Sequence, residues 1–336
     1  MVTAKNYAAQ AERGLKEFFD ITEAVPHSDI DRKLVEANML AHMKKAIHFA
    51  IPDGGVIIDD DWKGMRGVPF RLPYPEITIE YYAPYTVDTV NDPLRGGYSP
   101  KRLVVAIECS LEQFEKQVTI MNVKNPGADH KAGKAGFMQG MPQGTTHFVM
   151  VTYAMTAPWV RKDLWVPGFV GVIIPSLWDS GTHVDTPRTL GCTPFTLCPA
   201  FAECETSGLE KDAAKERYES FLKDVSQEVG AVFELLEALT CRNVSTITRE
   251  KISPKINARR VRAGKLPLYE TQVLVIDGSQ DARSGSMKHT HGDRHGPRQH
   301  LRRGHIRRLT SGNIWVNSCL VGAGNQGYID KSYAVN

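Results

Sequence analysis

HFVMVTYAM, residues 147–155, is the stretch on which the fold turns. β-Branched and aromatic residues dominate it, which is the composition of a strand. GFVGVII at 168–174 has the same character. Upstream, LVVAI at 103–107 is a continuous apolar run of the kind an interior strand shows, and it ends at Glu108 and Cys109. Ile77, Ile79 and Tyr81 alternate with Thr78, Glu80 and Tyr82, which predicts a strand with one buried face. With Val56–Ile58 these segments form an expected sheet of five or six members between residues 56 and 174.

Helical patterns flank the sheet. Residues 3–22 carry Ala8, Ala11 and Leu15 at helical spacing, with Phe18, Phe19 and Ile21 near the end. Ser28 and Asp29 offer N-cap oxygens for a second helix over 30–50, with Leu34, Met39, Met43, Ile47 and Phe49 as its apolar positions. The longest pattern is 210–239, where Val225, Val229, Val232, Phe233 and Leu236 recur at three and four opposite a face of acids and lysines. Residues 176–208 read as loop, because Pro187, Pro194 and Pro199 interrupt regular structure. The fold class expected is α+β: N-terminal helices, a mainly antiparallel sheet, one long helix and a C-terminal β-hairpin module. The division expected is an α+β body at 1–250 and a basic, β-rich module at 251–336.

A chain of 336 residues suits two domains or one large one, and 42% hydrophobic with 24% charged residues is ordinary for a globular protein. No apolar run approaches the roughly 20 residues of a membrane span. The N-terminus lacks the apolar core and cleavage site of a signal peptide, so cytoplasm is the expected location, that of the host if the protein is phage-encoded. The six cysteines form no C-x-x-C pair, which excludes a zinc ribbon and a dithiol redox motif. The Gly/Lys-rich stretch 124–146 contains no P-loop string. It reads as a surface loop, with phosphate contact by Lys131 and Lys134 as the alternative. Asp59, Asp60 and Asp61 with Glu76, Glu80 and Glu108 are either a two-metal carboxylate cluster or a solvated loop with strand-face acids.

Charge is concentrated late in the chain. KHTHGDRHGPRQHLRRGHIRRL, residues 288–309, carries five of the eleven histidines and seven cations against one acid, in a protein whose net charge is only +3. A patch of this density attracts polyanions, above all phosphate backbones. Leu301–Leu309 is expected to run as one strand, broken or bulged at Gly304, with Thr310–Asn313 as the turn and Ile314–Val321 returning. Alternation places Arg298, His300 and Arg302 on one face before the glycine, and His305 and Arg307 on one face after it. A bulge would bring both sets to the same side, with Arg303 and Arg308 adding charge to the strip. Guanidinium binds phosphate bidentately, while imidazole exchanges a proton near neutral pH. A second basic run, Lys251, Lys255, Arg259, Arg260, Arg262 and Lys265, reads as a linker. His289, His291 and His295 form H-x-H-x3-H, which is either part of a zinc site or a hydrated loop.

The strings PRQHLRRGHIRRL (297–309), IWVNSCLVG (314–322) and GYIDKSYAV (327–335), preceded by RAGKLPLYE at 262–270, resemble the C-terminal signature of a group of tailed-phage and prophage proteins. The likeness covers about residues 262–335 and departs at Thr271, where that group has an aromatic residue. It implies a bacteriophage setting and no particular reaction. Three functions are therefore expected candidates: a nucleic-acid (phosphate) binding protein, for RNA or DNA; a metal-independent endoribonuclease with His300 and His305 as the acid–base pair and the arginines as charge stabilisers; and a phage structural protein whose basic strip meets a protein partner. None requires a cofactor, and zinc at the histidine loop is compatible with each.

Overall fold

The structure is a computed structural model that describes residues 5–57, 71–83, 101–110, 112, 147–157, 163–175, 193–248, 251–276, 298–302, 305–316, 319–321 and 323–328. Its centre is a mixed sheet of nine strands in the order β7-β6-β4-β3-β2-β1-β9-β8, with β5 paired on β4. The strands are β1 (Ile47–Ala50), β2 (Glu76–Tyr82), β3 (Lys101–Ser110), β4 (His147–Thr156), β5 (Trp165–Pro167), β6 (Val170–Pro175), β7 (Thr193–Thr196), β8 (Val244–Thr248) and β9 (Thr271–Ile276). All pairings are antiparallel except those of β1, which runs parallel to both β2 and β9. The class is α+β, as the residue pattern implies.

Alternation along β3 and β4 explains why Leu103–Ile107 reads as a continuous apolar run and 147–155 is rich in β-branched and aromatic residues. Leu103, Val105 and Ile107, with their partners Ala154 and Met150, face one core, and Val104 and Ala106, with Tyr153 and Val151, face another. Helix α1 (Tyr7–Ile21) and the helical segment after it cover the first face through Leu15, Phe18, Phe19, Leu34 and Met39. The long helix α5 (Lys211–Leu239) covers the second through Val225, Val229, Val232, Phe233 and Leu236. A sheet sandwiched between helices has no polar face to show. Each aliphatic or aromatic side chain buried this way contributes about 1.5–3 kcal/mol.

Several elements differ from the expectations. The helix foreseen over 30–50 is shorter: α2 (Ser28–Val35) passes through a π-helical segment, Glu36–Leu40, into α3 (Ala41–Met43), and Ile47–Ala50 is β1 instead. At the π segment the Asn38 amide donates to the Leu34 carbonyl at 2.8 Å, competing with the helical ladder. Beyond it, Ile47 and His48 pair with Ile77 and Thr78. Val56 and Ile57 are not in a strand, and Ile58 lies outside the described residues. The loop foreseen over 176–208 holds β7 and α4 (Pro199–Thr206). The cap of α4 is remote in sequence: Ala200 and Phe201 donate backbone N–H bonds of 3.0 and 2.9 Å to the carboxylate of Asp31, which is fully buried. β9 lies beyond the boundary expected at 250/251 yet sits between β1 and β8, so residues 251–276 go with the main sheet.

Candidate nucleic-acid interface

Two cationic elements follow the long helix. The first is the run read as a linker, which is a helix: α6 (Pro254–Arg262) connects β8 to β9. It has Pro254 in its first turn and buries none of its residues. Its C-terminus is closed by Gly264, whose φ of +68° suits glycine, with Lys265 donating to Arg260 O at 2.9 Å and Gly264 to Val261 O at 3.0 Å. Those two bonds form a Schellman closure, which satisfies the last carbonyls.

The helix is also fixed from below. Asn257 grips the backbone of Leu268 with both ends of its amide, donating to the carbonyl and accepting from the N–H, each at 2.8 Å. Asn6 does the same to the next residues, donating to Pro267 O at 2.9 Å and accepting from Tyr269 N at 3.2 Å. Arg260 Nε donates to Leu266 O at 2.9 Å. Tyr269 then donates its hydroxyl to Glu12 on α1 at 3.1 Å, and burial followed by the Glu12 charge raises it to about 12. His48, whose ring centroid is 4.4 Å from that of Tyr269, is held neutral, with burial lowering it to about 4. Segment 266–269 is thus clamped between α6 and α1.

On the outer side, Lys255, Arg259 and Arg262 recur at four and three and form one exposed stripe. Ile256 and Val261, 50% and 58% exposed, flank it on opposite shoulders. No acid occurs between 251 and 265, and none of the six cations there makes an ion pair among the described residues. The helix dipole explains part of this, since Arg259, Arg260 and Arg262 lie in the last turn, where positive charge is favoured. It does not explain Lys255, at the opposite and unfavourable end.

The second element is the C-terminal hairpin. β10 (Arg298–Arg302) and β11 (His305–Leu309) pair antiparallel with β13 (Cys319–Val321) and β12 (Gly312–Val316), respectively. β10 also lies beside β14 (Ala323–Tyr328). Arg302 faces Cys319 and His305 faces Val316, so each strand advances three residues between those pairs. Gly304, where the bulge was expected, lies outside the described residues. His300 and Arg302 lie in the β10–β13 ladder, and His305 and Arg307 in the separate β11–β12 ladder. Arg307 is exposed and Arg308 is paired with Asn313 in the ladder. Arg303 and the histidines His289, His291 and His295 lie outside the described residues.

The hairpin is seated on the end of α5. Asn243 donates to Trp315 O and accepts from Trp315 N, both at 2.8 Å, and Asn313 donates to Thr240 Oγ1 at 3.0 Å. Trp315 packs with Cys241 in a small cluster joined by Ile57, Val244 and Ile306. Gly312, at φ +119°, makes the turn beside Arg242, whose Nε would be 2.8 Å from any Cβ there.

The strand acids each have a separate task. The Glu80 carboxylate caps α1, accepting from Lys5 N at 2.6 Å and Tyr7 N at 2.7 Å; Glu76 meets His42 at 3.1 Å; Glu108 accepts from Leu72 N at 2.9 Å. Among the described residues no group of three or more His, Cys, Asp or Glu gathers to hold a metal, and no helix is long and apolar enough to cross a membrane. Asp59, Asp60 and Asp61 lie outside them. Comparison with known proteins finds no matching family model, no matching curated protein and no matching solved structure.

Proposed function

We propose that this chain binds nucleic acid through the phosphate backbone, using α6 as its main contact and the C-terminal hairpin as a second, in a phage or prophage setting. One observation carries the reading: six cations lie on and beside a helix clamped to the body, and none of them makes an ion pair among the described residues. Ordering a site before it binds reduces the entropy lost on binding, and exposed cations release counterions from a phosphate chain. The ribonuclease alternative is less well supported, because His300 and His305 lie on strands of two separate sheets, β10 and β11. Phosphate holding by Arg302 and Arg307 does not require the two imidazoles to meet. The test is fluorescence anisotropy of the full chain against labelled DNA and RNA over a salt series, beside Arg302→Ala/Arg307→Ala. Affinity that falls linearly on a log–log salt plot, with a shallower slope in the double variant, supports the reading. Absence of binding to either polymer at low salt refutes it.

A further inference from the structure

We infer that α6 is built for double-stranded DNA and lies along its major groove, an inference that rests on the phosphate-binding reading above. Three features of the surface select this ligand over the other nucleic acids. The first is what is missing. Binders of single strands stack bases on aromatic rings, yet residues 251–265 and the edge strand β8 contain no Phe, Tyr or Trp. Tyr269, the nearest aromatic residue in sequence, is committed to Glu12 and to the ring of His48. Among the described residues a single strand would meet charge on α6 but no stacking platform on it or on β8.

The second feature is shape. α6 is nine residues long and presents no buried face to the protein, being held by backbone and amide bonds instead of apolar packing. It is a rod about 13 Å long and roughly 10–12 Å across. The major groove of B-form DNA is roughly 12 Å wide and admits such a helix, whereas the major groove of A-form RNA is deep and narrow and does not.

The third is the order of side chains around the rod. The stripe Lys255–Arg259–Arg262 runs about 10 Å along the axis, on the scale of the groove width. The exposed aliphatic side chains on both shoulders, Ile256 and Val261, match the apolar part of a groove floor, where thymine methyl groups stand.

The experiment compares the full chain with Lys255→Ala/Arg259→Ala/Arg262→Ala on three labelled probes of one mixed sequence: a DNA duplex of roughly 20 base pairs, the corresponding single strand, and the RNA duplex. Circular dichroism and thermal melting confirm that the variant remains folded. The inference expects the parent to bind the DNA duplex at least about tenfold more tightly than either other probe, and the variant to lose that preference. Equal or tighter binding to the single strand or to the RNA duplex overturns the inference while leaving the phosphate reading intact. Duplex DNA binding that the triple variant does not weaken also overturns it, by moving the contact off α6. Failure to bind any of the three probes overturns both.

Discussion

Arg102 and Arg259 are the same residue in opposite circumstances. Arg102 is fully buried between β3 and α5, where Nη1 lies 3.0 Å from Glu228 Oε1, the Tyr81 hydroxyl donates to the same oxygen at 3.0 Å, and the Tyr153 ring lies 5.6 Å from Cζ. Arg259 is exposed on α6 with no acid beside it among the described residues. Between β3 and α5, charge joins two layers and is met by an opposite charge. On the outer helix it makes no ion pair among the described residues, on a backbone anchored through Asn257 and Arg260. The difference separates what keeps the protein folded from what it offers to a partner.

The largest effect should come from breaking the inner pair. Arg102→Met leaves Glu228 buried without its counter-ion and should cost about 3–5 kcal/mol in urea unfolding. Arg102→Met/Glu228→Leu should lose clearly less than the sum of the two single changes. A cost below about 1 kcal/mol for Arg102→Met would show that the pair does not join the layers.

Trp315→Ala should remove up to about 3 kcal/mol, but locally, because its cluster is small and apart from the two main cores. Hydrogen exchange should rise across 305–316 while β3 and β4 keep their protection. Equal loss of protection in β3 and β4 would make the hairpin part of the core.

The buried titratable groups sharpen the contrast through pH. Burial raises Asp31 from its ordinary 3.8 to about 6, so its contribution to stability is present below 3.8 and lost as pH rises through about 6. His48 is lowered from 6.5 to about 4, so its contribution is present above 6.5 and lost as pH falls towards 4. The two oppose one another between about pH 4 and 6. His48→Gln should therefore tilt the stability profile towards acid relative to the parent, and Asp31→Asn towards base, by on the order of 2–3 kcal/mol across the window. Profiles parallel to the parent in chemical denaturation at several pH values would refute the assignment. On α6, Gly264→Ala meets a φ of +68° and should cost about 1 kcal/mol, fraying the helix end and weakening nucleic-acid binding together.

Much of the central sheet was legible because its residues obey a single rule. Leu103–Ile107 is apolar at every step and Phe148–Met155 at every step but Thr152, and a strand covered on both faces accounts for that. The remote supports were not legible. No local pattern could show that Asp31 caps a helix starting at Pro199, or that Asn6 clamps Tyr269, since the partners are 169 and 263 residues apart. α6 escaped for a different reason: it buries nothing, so the periodicity that marks a helix is absent. Ser253-Pro254 at its start and Gly264 past its end were the available signals. The cationic strip was visible as charge, but its division between two ladders was not, because that depends on which partner each strand finds.

The most direct test of the account measures stability and salt-dependent affinity on one variant, Lys255→Ala/Arg259→Ala/Arg262→Ala. These side chains are exposed and unpaired among the described residues, so unfolding free energy should change by less than about 0.5 kcal/mol. On duplex DNA, the slope of log affinity against log salt should become shallower by about 2–3, roughly one for each phosphate contact removed. An unchanged slope with unchanged stability would contradict the central claim and leave α6 as a solvated surface helix.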